Sequence, residues 1–226
     1  MRIGRSEVSA APSAVITSPS ESLSRRSPAV VVEVTGPYGQ ANFIPATYSS
    51  VLLVVGGSGV SFALGVIEGL LRDCTAGDGR TTSVELVWTV RESDMLQYML
   101  PYFRDILAAS LAIPTISLSI RLHCTTTSFP PAAIATHSLK HLREAGIAPT
   151  VVYGTRPDLG AILSSLAERT PTGGGLAVCS CGPQPLVDSV ARLVDGMDKA
   201  LKARTVVECS SECVRRLGTT VRRLPR

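Results

Sequence analysis

The sequence predicts an α/β fold, a doubly wound parallel sheet in three layers. Two observations carry that prediction. Short apolar runs alternate with stretches of helical spacing four or five times, a rhythm that builds a parallel sheet with helices on both faces. The runs VLLVV at 51–55, VELVWTV at 84–90 and GLAVCS at 175–180 are nearly continuous, as expected of strands buried on both sides.

Taken in order, residues 1–28 are rich in Ser, Pro, Ala and Arg and read as a disordered N-terminal segment. Residues 29–35 (AVVVEVT) read as a strand, and Gly36, Pro37, Tyr38 and Gly39 force a turn. The strand at 51–55 runs into the glycine turn 56–59 and a helix over 60–72, with Phe62, Val66, Gly69 and Leu70 along one side. A polar loop leads to the strand at 84–90, then to a helix over 94–109 with Asp94 placed to cap or charge its first turn. Residues 117–123 alternate as a strand. Residues 124–147 read as an insertion with a short helix near 137–144. A short strand at 150–153 precedes a helix over 157–168, with Pro157 in its first turn and Asp158 near its start. The strand at 175–180, a helix over 183–201 and an edge strand at 205–208 complete one domain over 29–208, leaving 209–226 as a basic tail. Right-handed crossovers place every strand-to-helix loop along one sheet edge, where ligands bind as the strand order reverses.

Composition narrows the function. The 226 residues are 45% apolar and 18% charged, a globular balance too short for two full α/β domains plus a membrane domain. The net charge of +4 is uneven: from Lys199 onward eight Lys/Arg face two Glu, so the first 198 residues carry about −2. The body is therefore not a basic nucleic-acid surface, and aromatics at 4% offer few stacking platforms. Six cysteines lack the spacing of a disulfide framework and read as reduced thiols. No paired cysteines find the further ligands that zinc requires. The 17 uncharged residues 51–67 approach membrane length, but Gly56, Gly57, Ser58 and Gly59 interrupt them, so strand, turn and helix explain the run better than a span.

Four segments at the expected ligand edge carry candidate chemistry. Gly56-Gly57-Ser58-Gly59-Val60-Ser61 joins a strand to a helix, where glycines admit a pyrophosphate close to the backbone and the helix start offers N–H groups. The pattern is neither GxGxxG nor a P-loop, and a plain tight corner is the other reading. Arg91 follows the second strand, where an arginine accepts the 2′-phosphate of NADP; Glu92 beside it also allows a surface pair. Cys181-Gly182-Pro183 ends a strand, leaving room for a flat ring beside a thiol, although a small buried cysteine fits there too. Arg156, in Gly154-Thr155-Arg156-Pro157-Asp158, lies where it reaches the adenosine end of a dinucleotide or stays solvated.

GPYG at 36–39, VLLVVGGSGVSFALGVIEGLL at 51–71, VWTVR at 87–91, GTRPD at 154–158 and CGPQPLVDSV at 181–190, in this order, resemble the NAD-binding domain of ferric reductases, relatives of the NADPH oxidases and of ferredoxin–NADP reductases. The resemblance covers about residues 30–208 and implies the ferredoxin–NADP reductase-like nucleotide-binding fold. It implies that NADPH gives hydride to FAD, and that electrons then cross two membrane haems to ferric or cupric chelates. It assigns Gly56, Gly57, Ser58, Gly59, Val60 and Ser61 to the pyrophosphate, Arg91 to the 2′-phosphate end and Arg156 to the dinucleotide loop. Cys181, Gly182 and Pro183 fall at the nicotinamide, with Cys181 in the catalytic position. Gly36, Pro37, Tyr38 and Gly39 fall at the flavin-domain junction. It implies flavin-barrel and haem membrane domains as partners, and the cytosolic side of a membrane as the location. This chain shows no barrel, no haem-bearing bundle, no terminal aromatic and no span of its own. It reads as a soluble, truncated member whose flavin comes from elsewhere. The alternative is a non-catalytic NADPH-binding module or a degenerate remnant.

Overall fold

Six strands hydrogen-bond side by side, all parallel, in the computed structural model, which describes residues 45–126 and 149–213. All of these belong to one compact unit, Gln40–Arg226. The strands are β1 (Ser50–Gly56), β2 (Ser83–Val90), β3 (Ser117–Cys124), β4 (Thr150–Tyr153), β5 (Gly175–Gly182) and β6 (Val206–Cys213). The helices are α1 (Val60–Ala76), α2 (Asp94–Leu111), α3 (Leu159–Arg169), α4 (Gln184–Asp195) and α5 (Lys199–Arg204). The spatial order is β4-β3-β2-β1-β5-β6. The chain steps outward from β1 through β2, β3 and β4, then returns across the sheet to β5 on the other side of β1. The switch point therefore lies between β1 and β5.

Alternate side chains of a strand point to opposite faces, and β1 shows why both faces are covered. Val51, Leu53 and Val55 join Leu86, Trp88 and Leu122 beneath α1 and α2, which contribute Ala63, Ile67, Leu70, Phe103 and Leu107. Leu52 and Val54 face the other way, with Val87 and Val178, against Ile162 and Leu166 of α3 and Val190 and Val194 of α4. Doubly buried strands account for the continuous apolar runs. Trp88 and Phe103, both fully buried, meet at 5.5 Å between ring centres with the rings tilted by 59°. Such an aromatic pair adds about 0.5–1.5 kcal/mol beyond area burial.

Local chemistry sets the element ends. Gly77, at φ +83°, closes α1 in the left-handed conformation that suits glycine. Asp158 caps α3 by accepting from the Ala161 N–H at 3.0 Å, so the helix begins at Leu159 rather than at 157. The single helix expected over 183–201 is two helices: α4 ends at Gly196, and Asp198 starts α5 by accepting from the Ala200 and Leu201 amides. The strand expected to stop at 208 runs to Cys213, because β5 offers it a partner at every position from Gly175 to Gly182. The first five residues of the expected tail, 209–213, are therefore sheet. Cys124, the expected start of an insertion, is the last residue of β3. The expectations for residues 1–44, including the strand at 29–35 and the GPYG turn, lie outside the described residues, as do those for 127–148 and 214–226.

The segment before β1 is strapped to the opposite edge. Thr81, 2% exposed, donates its hydroxyl to the Tyr48 carbonyl at 2.8 Å. The Tyr48 hydroxyl donates to Glu208 of β6. Burial first, then the Glu208 carboxylate, push the Tyr48 pKa up to about 12. The ring passes so close to β5 that a Cβ at Gly175 would meet it at 2.5 Å.

Candidate functional site

Because every strand is parallel, the four candidate segments from residue 56 onward arrive at the same edge. From one side to the other lie the loop 154–158 after β4, the end of β3, Arg91 after β2, the turn 56–59 after β1, and Cys181, Gly182 and Pro183 at the end of β5. At about 4.8 Å per strand, the edge from β5 to β4 spans about 19 Å. The phosphate-binding candidate is near one end and the two arginines extend toward the other.

The glycine turn and the end of β5 form one surface. Val55 pairs with Cys181, and a Cβ at Gly59 would lie 2.4 Å from the Cys181 carbonyl oxygen. A Cβ at Gly182 would come within 3.1 Å of the Gly56 nitrogen, and one at Gly56 within 3.1 Å of Pro183. Gly57 takes φ +56° with nothing within 4 Å of the space a side chain would fill. The turn is a single 3-10 turn, Gly57–Gly59, leading straight into α1. No side chain caps the start of α1, and its first turn holds no carboxylate. The positive end of the helix dipole thus meets no side-chain cap and no carboxylate of its own first turn, an arrangement that fits an anionic phosphate.

Not every predicted residue plays the part its position suggested. The Val60 N–H bonds back to the Gly57 and Ser58 carbonyls and its side chain is 4% exposed, so it anchors the turn to the core. Ser61 donates to the Ser58 carbonyl at 3.0 Å, which stiffens the turn; both serines are exposed. Cys181 is 4% exposed, and its Sγ would lie 3.2 Å from a Cβ at Gly59. The thiol therefore lies under the turn, on the α1 side of the sheet, rather than at the open edge.

Sequence reasoning missed the residue that holds the turn from below. Trp88 of β2 donates its indole N–H to the Gly57 carbonyl at 2.8 Å. It is the one tryptophan of the chain. A lone tryptophan in a strand directly ahead of a candidate arginine was the signal available. Replacing it with phenylalanine removes this bond and leaves a void. Trp88→Phe is expected to cost about 1–3 kcal/mol by urea unfolding and to loosen the turn.

The arginines sit on fixed backbone. Arg91 and Arg156 are both exposed, and neither forms an ion pair with another described residue. The Arg91 carbonyl accepts from the Thr126 hydroxyl at 2.7 Å, the Thr126 N–H at 3.2 Å and the Cys124 thiol at 3.4 Å. The Gly154 N–H donates to the Cys124 carbonyl at 2.8 Å. His123, 8% exposed, faces the Thr155 backbone. Burial lowers its pKa below the ordinary value; the Thr155 bond opposes that shift and the Arg121 charge adds to it.

Among the described residues no helix is long and apolar enough to cross a membrane. The ferric reductase transmembrane component 6 of Saccharomyces cerevisiae is 26% identical over 166 residues, covering 72% of this chain and 22% of that protein. The ferric reductase transmembrane component 1 of Schizosaccharomyces pombe is 28% identical over 161 residues, covering 70% of this chain and 26% of that protein. The chain thus spans about a quarter of the length of these relatives. A solved ferredoxin–NADP+ reductase from Plasmodium falciparum aligns at 14% identity and a TM-score of 0.40, over 77% of this chain and 60% of that one. The model of the ferric reductase NAD-binding domain matches residues 48–195, from the strap ahead of β1 to the end of α4, and the chain belongs to that family.

Proposed function

We propose that the carboxyl edge of the sheet binds NADPH, and that the chain is the nucleotide-binding part of an oxidoreductase that reduces ferric or cupric chelates across a membrane. One observation carries the reading: the uncapped glycine turn meets the end of β5 at the switch point, with two exposed arginines farther along the same edge. In this reading the backbone at Gly57, Ser58 and Gly59 holds the pyrophosphate. Arg91 takes the 2′-phosphate as a planar fork of donors, and Arg156 closes over the adenosine end. Gly182 lets the end of β5 close on the Gly56 backbone beside the nicotinamide position, and Cys181 shapes the floor beneath the turn and keeps water out. Bound there, the dinucleotide would supply a hydride for a flavin and, beyond it, for haem-bearing membrane domains.

Calorimetric titration of the purified chain tests the reading. NADPH is expected to bind saturably and more tightly than NADH. Arg91→Glu should weaken NADPH by at least about tenfold, the loss of one charge-assisted contact, and leave NADH nearly unchanged. A folded chain that takes up neither dinucleotide would overturn the proposal.

A further inference from the structure

We propose that the carboxyl end of β3 is the positioning element for nucleotide recognition, with Thr126 setting the loop that carries Arg91 and His123 setting the loop that carries Arg156. The inference rests on the dinucleotide reading of the edge. It concerns residues that contact neither phosphate nor ring in that reading.

The argument is one of tie points. Each arginine leaves the sheet on a loop whose own residues give it little hold: Arg91 begins the turn before α2, and Arg156 lies three residues ahead of α3. Both loops are held at or just past the end of the strand between them, by His123, Cys124 and Thr126. Three donors, the Thr126 hydroxyl, the Thr126 N–H and the Cys124 thiol, converge on the Arg91 carbonyl. A carbonyl with three donors cannot rotate without losing them together. On the other side, the Cys124 carbonyl takes the Gly154 N–H, just where Gly154 turns the chain at φ +75°. His123 engages Thr155, the next residue. Arg156 then lies between that tie and the Asp158 cap of α3.

His123 suits this role more than a ligand-binding one. Its Nδ1 is buried, and the ring engages the Thr155 backbone. Its register neighbours are Thr89 and Val152, neither of them a carboxylate. A buried imidazole with one ring nitrogen committed to the backbone fixes geometry; it does not meet solvent-borne phosphate. The end of β3 therefore works as a spacer that sets the distance between two guanidinium groups along the edge. A ligand with a second phosphate on its ribose is sensitive to that distance, and one without it is not.

The test uses the whole chain and two probes, adenosine 2′,5′-bisphosphate and adenosine 5′-monophosphate, titrated calorimetrically. Thr126→Val keeps the shape and removes the hydroxyl. His123→Ala removes the Thr155 tie, and His123→Gln restores a side-chain donor there. Thr126→Val and His123→Ala are each expected to weaken the bisphosphate about tenfold, the value of one hydrogen bond, while the monophosphate changes less than about twofold. His123→Gln should return most of the difference. Folded variants that weaken both probes equally, or neither, overturn the inference. If His123→Ala fails to fold, Thr126→Val decides alone, since Thr126 is only partly buried. A wild-type chain without preference for the bisphosphate overturns the NADPH reading itself. A wild-type preference that both variants retain overturns the spacer alone.

Discussion

Methionine in place of both Arg121 and Arg169 is expected to cost the fold about 3–5 kcal/mol, the usual result of stranding a buried charge. The charge is Glu85, on the α3 side of β2, with a side chain only 3% exposed. Arg121 Nε lies 2.6 Å from one carboxylate oxygen and Arg169 Nη2 lies 3.1 Å from the other. The arginine side chains are 42% and 58% exposed, so water serves them if the carboxylate is lost, whereas no other described residue pairs with the carboxylate if they are lost. The asymmetry gives an ordered set of outcomes. Either single arginine change should cost about 1–2 kcal/mol, since the other partner stays. Adding Glu85→Leu to the double change should return most of the stability, because an apolar residue at the same place needs no partner. Urea denaturation of the four proteins measures the set. A double variant within about 1 kcal/mol of wild type would show that Glu85 reaches water or another donor.

The sequence made the sheet legible because strands buried on both faces must be continuous in apolar residues, and β1, β2 and β5 are. It also brought the candidate segments to one edge, since parallel strands can only deliver their loops together. What it concealed depends on pairing between distant residues. Glu85, Arg121 and Arg169 look like ordinary surface charges when read along the chain; only the register of β2 with β3 and the path of α3 bring them together. Trp88 read as one of five apolar residues in a run of seven, and its polar edge acquired meaning only when Gly57 arrived above it. The end of β6 was misplaced for the same reason. VVECSSEC has weak strand character of its own, and the register with β5 supplies what local preference lacks. At the site, the glycine turn was readable as a phosphate candidate, because glycine between strand and helix has few other uses. The inward turn of Cys181 was not, because strand parity decides it and the count must start from a known partner.

Alanine at Gly59 is expected to damage both the fold and the binding edge, and two other glycines separate the causes. The added Cβ would stand 2.4 Å from the Cys181 carbonyl oxygen, 2.9 Å from its carbon and 3.2 Å from its sulfur. The first two are backbone atoms of a strand held on one side by β1 and on the other by β6, so the turn must give way. Crowding of this kind costs about 1–3 kcal/mol. Lifting the turn off β5 also moves the amides of the candidate phosphate site, and NADPH should bind at least about tenfold more weakly, a difference of about 1.4 kcal/mol. Gly57→Ala meets no atom within 4 Å but keeps φ +56°, so it should cost about 1–2 kcal/mol of backbone strain without pushing on β5. Gly65→Ala, in the middle of α1 with open space around it, should stabilise by about 0.5–1 kcal/mol and leave binding unchanged. Paired unfolding and NADPH titrations of the three variants read out the pattern. If Gly59→Ala binds NADPH like wild type while losing stability, the turn and the end of β5 are joined by packing alone, and the dinucleotide must lie elsewhere on the edge.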